Sequence, residues 1–207
     1  MARFLELLSV QRWDDHRYYH HSRINQSLHL LSAATFVVAY GVMFKDPALA
    51  ALLAWLVSMT SRQIGHLVFE PKEYDVVNQA THEHKEEIKV GYNLRRKIVL
   101  MSVWALSPLL LVFSPTMLGL CQAPHSAIAF ARHVGNLWLV IGVGGLLFRT
   151  VQLFVIKDMQ TGLVWATKII TDPFHDIMLY HRAPLTLFRG SHDSEMSDEF
   201  HDVRGSY

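Results

Sequence analysis

Tyr19-His20-His21-Ser22-Arg23-Ile24-Asn25-Gln26-Ser27-Leu28-His29 runs directly into an apolar block, Leu28–Phe44, and Gly65-His66-Leu67-Val68-Phe69-Glu70 follows the next one, Ala48–Ile64. Each block is seventeen residues long, near the lower limit for a helix that crosses a bilayer. Asp46-Pro47 between them leaves room only for a tight turn, so the two are expected to be antiparallel neighbours. Such a hairpin returns His66 to the surface from which His20, His21 and His29 depart. One pattern therefore predicts both the fold and a meeting point of imidazoles.

Two further apolar blocks, Ile98–Leu120 and Val134–Ile156, are each twenty-three residues long and span comfortably. Pro108 and Pro115 are expected to kink the first of these, which a helix inside a bundle tolerates. The expected fold is all-α, an integral membrane four-helix bundle with cytoplasmic helical elements. It forms one domain over residues 1–189, with spans at about 28–44, 48–64, 98–120 and 134–156, and a polar tail, 190–207, expected to be disordered. Residues 1–13 set Phe4, Leu5, Leu7, Leu8 and Trp13 among charges, as an amphipathic helix in the membrane interface does. They lack the pattern of a signal peptide. Residues 73–89 are expected to form a solvated helix, and Asp172-Pro173 reads as a helix start.

Lysine and arginine set the expected orientation. Residues 1–27 carry four, residues 62–97 seven, and the chain from Lys157 five, whereas the two opposite loops carry one each, Lys45 and Arg132. Both termini and the central loop are thus expected in the cytoplasm, in an inner membrane or the endoplasmic reticulum. A net charge of +1 gives no electrostatic footprint for nucleic acid. The single cysteine, Cys121, cannot form an internal disulfide. Composition says nothing about oligomeric state.

Thirteen histidines are an excess, and most fall on the expected cytoplasmic face. His21, Asn25 and His29 recur every fourth residue, as do His16 and His20, so each set shares a helix face. His21 and His29 stand about 12 Å apart along a helix, too far to share an ion unless the helix breaks near Ser22-Arg23 or two metals are present. His20 and His21 point about 100° apart, so the backbone must be irregular if both are to turn inward. His20 or His21, with His29 and His66, are the candidate ligands, and His84 and His175 are further candidates. Glu70, one helical turn beyond His66, is either a ligand or the partner that fixes the His66 tautomer. Imidazole with carboxylate is the donor set of non-haem Fe(II) sites that use dioxygen. Arg149 interrupts the last span, where an ionisable group is a functional candidate. It either snorkels to the surface or binds the carboxylate of a fatty acid arriving from the lipid.

The pattern Tyr19-His20-His21-x3-Asn25-x3-His29 with Gly65-His66-x2-Phe69-Glu70 resembles the Fe(II)-dependent 2-hydroxy fatty acid dioxygenases of fatty acid α-oxidation. The likeness is local, over about residues 18–78. It implies an integral membrane enzyme that uses dioxygen to cleave the C1–C2 bond of a 2-hydroxy fatty acid. By the same resemblance function carries over to His20, His21, Asn25, His29, His66 and Glu70, with His20, Asn25 and Glu70 in catalytic positions. A di-iron lipid hydroxylase or desaturase, which needs about eight histidines, and a haem electron carrier using His29 and His66 are the alternatives.

Overall fold

The computed structural model describes residues 2–70, 73–76, 78–91 and 94–190. The expected tail beyond Gly190 lies outside the described residues. Helix α1 (Ala2–Tyr19) stops at the histidine pair, and α2 (Arg23–Met43) begins anew after Ser22, whose hydroxyl accepts from the Ile24 N–H. Ser22 is in extended backbone, the usual state of a residue that caps a helix this way. The chain turns at Lys45-Asp46. Asp46 caps α3 (Pro47–Leu53) by accepting from Leu49 N–H, and Pro47 stands at a position where its missing N–H costs no helix bond.

Residues 47–68 are helical throughout but not uniform: α3 passes into a π-helical turn, Ala54–Met59, and then α4 (Thr60–Val68). Beyond it come α5 (His82–Ile88), α6 (Leu94–Leu106), α7 (Pro108–Phe113), α8 (Ala127–Ile156), α9 (Met159–Tyr180) and α10 (Ala183–Phe188). Among the described residues, three stretches are long and apolar enough to cross a membrane: Arg23–Met43, Arg95–Phe113 and Ala127–Ile156. The expected span at 48–64, within the segmented helix, is not among them. Val140, Phe148 and Val155 on α8 stand 69%, 66% and 81% exposed, an apolar outer face that suits lipid.

Close packing follows from small residues. Ala48, Ala50 and Ala51 on α3 are buried, and a Cβ at Gly135 on α8 would collide with the Ala48 carbonyl, so the two backbones touch. Further along the same pair of helices the core is aromatic. Trp55 stacks on Trp104 with ring centroids 5.3 Å apart, and its indole N–H donates to the Trp138 carbonyl at 3.0 Å. The Trp138 indole donates in turn to Ser107 Oγ at 3.1 Å. Ser107 sits where α6 breaks into α7, so the kink expected from Pro108 is present and its hydroxyl is used.

Several expectations are corrected. The segment expected over 98–120 ends at Phe113, where Ser114, the residue before Pro115, leaves helical backbone, and Met117, Leu118 and Gly119 then adopt positive φ in a turn. Residues 73–89 are not one solvated helix. Asp75 and Ala80 exchange backbone hydrogen bonds, only His82–Ile88 is helical, and Lys85 is fully buried 3.1 Å from the Asp75 carboxylate. Asp172-Pro173 does not start a helix but lies inside α9, which begins at Met159 and is capped by Asp158, whose side chain accepts from Thr161 N–H. Helix α1 extends past residue 13 and packs on α9. Arg12 reaches Asp172 and Thr171, while Lys168 binds both Asp15 and Asp172.

Candidate metal centre

Two amide side chains shape the site. Asn25 Nδ2 donates to the Tyr19 carbonyl at 2.7 Å and Gln26 Nε2 to the His20 carbonyl at 2.9 Å. Both groups are fully buried, and together they tie the first turn of α2 back onto the break that precedes it. The irregular backbone at residues 20–22 is thereby fixed, and it separates the two neighbouring histidines. His20 turns in. His21 turns the other way, with Nε2 3.4 Å from Asp75 Oδ2.

A nitrogen from each of His20, His29 and His66 lies within 4.8 Å of the others, the one such group able to hold a metal ion among the described residues. Ring centroids are 3.9 Å apart for His20 and His29, 4.8 Å for His29 and His66, and 5.4 Å for His20 and His66. An ion at imidazole bond lengths of about 2.1 Å holds its nitrogens about 3–3.5 Å apart, so small ring rotations would bring this set into range. Helix α4 reaches α2 closely enough for this because residue 65 is glycine. A Cβ there would strike the Asn25 amide oxygen and press on the His29 ring.

The remaining nitrogens are assigned by their neighbours. His66 Nδ1 is 2.8 Å from Glu70 Oε2, the carboxylate partner that leaves Nε2 as the free nitrogen. His20 Nδ1 is 2.7 Å from the Tyr180 hydroxyl, which lies 2.9 Å from His16 Nδ1 on its other side. A single hydroxyl donates to one ring and accepts from the other, so it can hold a proton on His20 Nδ1. His29 Nδ1 points toward Asp176 Oδ2 at 3.9 Å, too long for a hydrogen bond. His20 Nε2 and both nitrogens of His29 are buried without a hydrogen-bond partner. Buried polar atoms are almost always partnered, and these orphans, gathered at one point, offer the nitrogens that an ion would use. By this measure the residues fit a metal.

Electrostatics favour neutral imidazole at the break. Burial pushes His20 well below its ordinary value, and the neighbouring His29 and His16 and the cations Arg62 and Lys168 add to the effect. Its lone pair is then available at neutral pH, as a ligand requires. Burial pushes the Glu70 carboxyl up, against the opposing pull of Lys89 and Lys97. Burial would also raise Asp176, but Arg62 outweighs it and holds the carboxyl below its ordinary range.

His20 and His66 also line a cavity of about 440 Å³. Trp55, Trp138 and Gly142 line the same cavity, and Trp55 lies about 16 Å from His66 along the helix. The slot is mainly apolar, with Arg62, Lys89, Lys97 and Lys168 as its cations.

No family model, curated protein or solved structure matches this chain.

Of the candidates, His20, His29 and His66 come together, with Asn25 and Glu70 beside them in supporting positions. His21, His84 and His175 stand outside the cluster: His21 faces Asp75, the His84 N–H is capped by Thr81, and His175 lies one residue from the inward stripe of α9. Arg149 does not line the cavity. Its guanidinium donates to the Val90 and Gly91 carbonyls at 2.5 and 3.2 Å and to Gln152, so it holds the loop before α6. Lys168, Asp172, Asp176 and Tyr180 were not singled out as site residues, yet they recur every fourth residue and all are buried on one face of α9. Reading Pro173 as a helix start broke that stripe in two.

Proposed function

We propose that this chain is an integral membrane, Fe(II)-dependent oxygenase acting on a lipid acid, and within that class a 2-hydroxy fatty acid dioxygenase that shortens its substrate by one carbon. The observation that carries the reading is the set of buried, unpartnered imidazole nitrogens on His20 and His29, beside His66 and next to an apolar slot. His20, His29 and His66 would hold the ion. When bound, Fe(II) supplies the redox chemistry with dioxygen that no side chain in the slot can supply.

The protein's own residues have separate tasks. Glu70 and Tyr180 keep protons on Nδ1 of His66 and His20, so that the opposite nitrogens face inward. Asn25 and Gln26 hold the broken backbone that turns His20 toward His29. The slot takes the alkyl chain and keeps bulk water from the reacting carbon. In this reading residues 47–68 make the fourth crossing, and the histidine end lies at the cytoplasmic surface, where lysine and arginine concentrate.

The donor set disfavours the alternatives. Three histidines converge among the described residues, fewer than a di-iron box needs. A haem macrocycle has no room between His29 and His66 at a centroid separation of 4.8 Å.

Elemental analysis of protein purified without oxygen should find about one iron per chain. His66→Ala should hold none, and oxygen uptake with 2-hydroxyhexadecanoic acid should disappear with it. Iron retained in that variant overturns the site; iron without oxygen uptake on any 2-hydroxy acid overturns the substrate.

A further inference from the structure

Of the cations lining the slot, Arg62 pairs with Asp176, Lys168 with Asp15 and Asp172, and Lys89 with Glu86 at 3.5 Å while its ammonium rests over the Tyr19 ring. Lys97 differs. It makes no hydrogen bond or ion pair with any described residue, although its side chain is half-buried in the second turn of α6. Its neighbours Arg95 and Arg96 are exposed, as basic residues at the end of a span normally are, while Lys97 lines the slot. It also lines a smaller pocket of about 170 Å³ that shares His66 with the slot and contains Glu70 and Glu86. Those carboxylates are already engaged, Glu70 by His66 and Glu86 by Lys89.

Partial burial makes the Lys97 ammonium costly at the edge of a largely apolar cavity, because the carboxylates that attract it, Glu70, Asp15 and Glu86, are each engaged by another group. A partner of opposite charge brought by a ligand removes that cost. The ligand that fits is an amphiphile, with one anionic head for Lys97 and an alkyl chain for the slot that extends past Trp55 and Gly142. A lysine recognises such a head as a point charge and a strong hydrogen-bond donor. Its position beside His66 places the head next to the histidine cluster.

We propose that Lys97 is the residue that binds the carboxylate of the fatty acid substrate, a role for which Arg149 is unavailable because backbone carbonyls occupy its guanidinium. The proposal deepens the oxygenase reading and rests on it for the substrate, but not for the binding itself.

The test is binding to metal-free, full-length protein in a neutral detergent, with tryptophan fluorescence as the readout and hexadecanoic acid and its methyl ester as the probes. The wild type should prefer the acid by about 10- to 100-fold, the strength of a hydrogen bond to a charged group. Lys97→Met should abolish the preference and leave ester binding unchanged, while Lys97→Arg should keep it. A wild type with no preference overturns the proposal even if the variants do not fold, and so does a Lys97→Met protein that retains it. Lys97-dependent binding of a two-chain anionic phospholipid in place of the acid overturns it as well. If the acid preference depends on Lys97 but the protein takes up no iron, the oxygenase reading falls and the anion site stands. Iron uptake with unchanged acid affinity in Lys97→Met removes the anion site alone.

Discussion

Two buried polar clusters adjoin α9, and they differ in one respect. In the first, Lys168 lies between Asp15 and Asp172, and Arg12 adds a second cation to Asp172, so every charge meets its opposite. In the second, His20, His29 and His66 come together, and His20 Nε2 and both nitrogens of His29 have no hydrogen-bond partner among the described residues. The first is complete without a ligand and fastens α1 to α9. The second is left incomplete by the protein's own groups. Burial alone does not distinguish a clamp from a receptor; the partner count does.

Lys168→Met should separate the two most sharply. It leaves two carboxylates facing each other and should lower folding stability by about 3 kcal/mol, toward the lower end for a broken buried pair. The lower end is expected because the Asp15 side chain is still 38% exposed to solvent. Thermal melts should show the drop, while iron bound per folded chain should be unchanged. A variant that melts normally but loses its metal would mean that the clamp belongs to the site.

Tyr180→Phe tests the other cluster. It removes the hydroxyl between His16 and His20 and should weaken metal affinity by about 10- to 100-fold, as losses of outer-sphere partners do. Its effect on the melting temperature should be well below that of Lys168→Met. Equal effects of the two variants on stability, with no change in metal affinity, would erase the distinction drawn here.

The smallest effect is on pH dependence. Burial pushes Asp15 up, but Lys168 outweighs it and the carboxyl lies below its ordinary 3.8. Lys168 is pulled down by burial, but Asp15 and Asp172 outweigh that and hold it above its ordinary 10.5. A depressed carboxyl stabilises the fold above its unfolded value and loses that contribution as pH falls through the folded one; a raised ammonium loses its contribution as pH rises past 10.5. The share of the melting temperature that Lys168 and its carboxylates contribute should therefore be level between about pH 4 and pH 10 and fall on both sides, so Lys168→Met should flatten both limbs, whereas the acid loss that begins near pH 6.5 because buried His20 must charge should be the same in both proteins. An acid limb of unchanged slope in the variant would show that other carboxylates govern it.

The hairpin was legible because its signals are local. Apolar length, the Asp46-Pro47 turn and the place of each histidine relative to a block can all be read within some fifty residues of one another. That reading put His29 and His66 at one end, where the structure has them. Local signals also misled. Pro173 imitates a helix start, yet the helix runs through it, held by tertiary contacts of α9 with α1, α2 and α8. Arg149 in an apolar run resembles a ligand site until the Val90 and Gly91 carbonyls are placed beside it.

By itself the sequence determined the apolar helices, the turn between the first two blocks and the set of imidazoles brought to one end, since each depends on residues a few positions apart. Only the tertiary structure decided that His20 and not His21 turns inward, because amides on α2 choose the backbone path of the preceding break. It also supplied Tyr180 from 160 positions away to hold His20 and left Lys97 without a hydrogen bond or ion pair among the described residues. Those outcomes depend on which helices pack together, and no periodicity within a segment encodes a partner so distant in the chain.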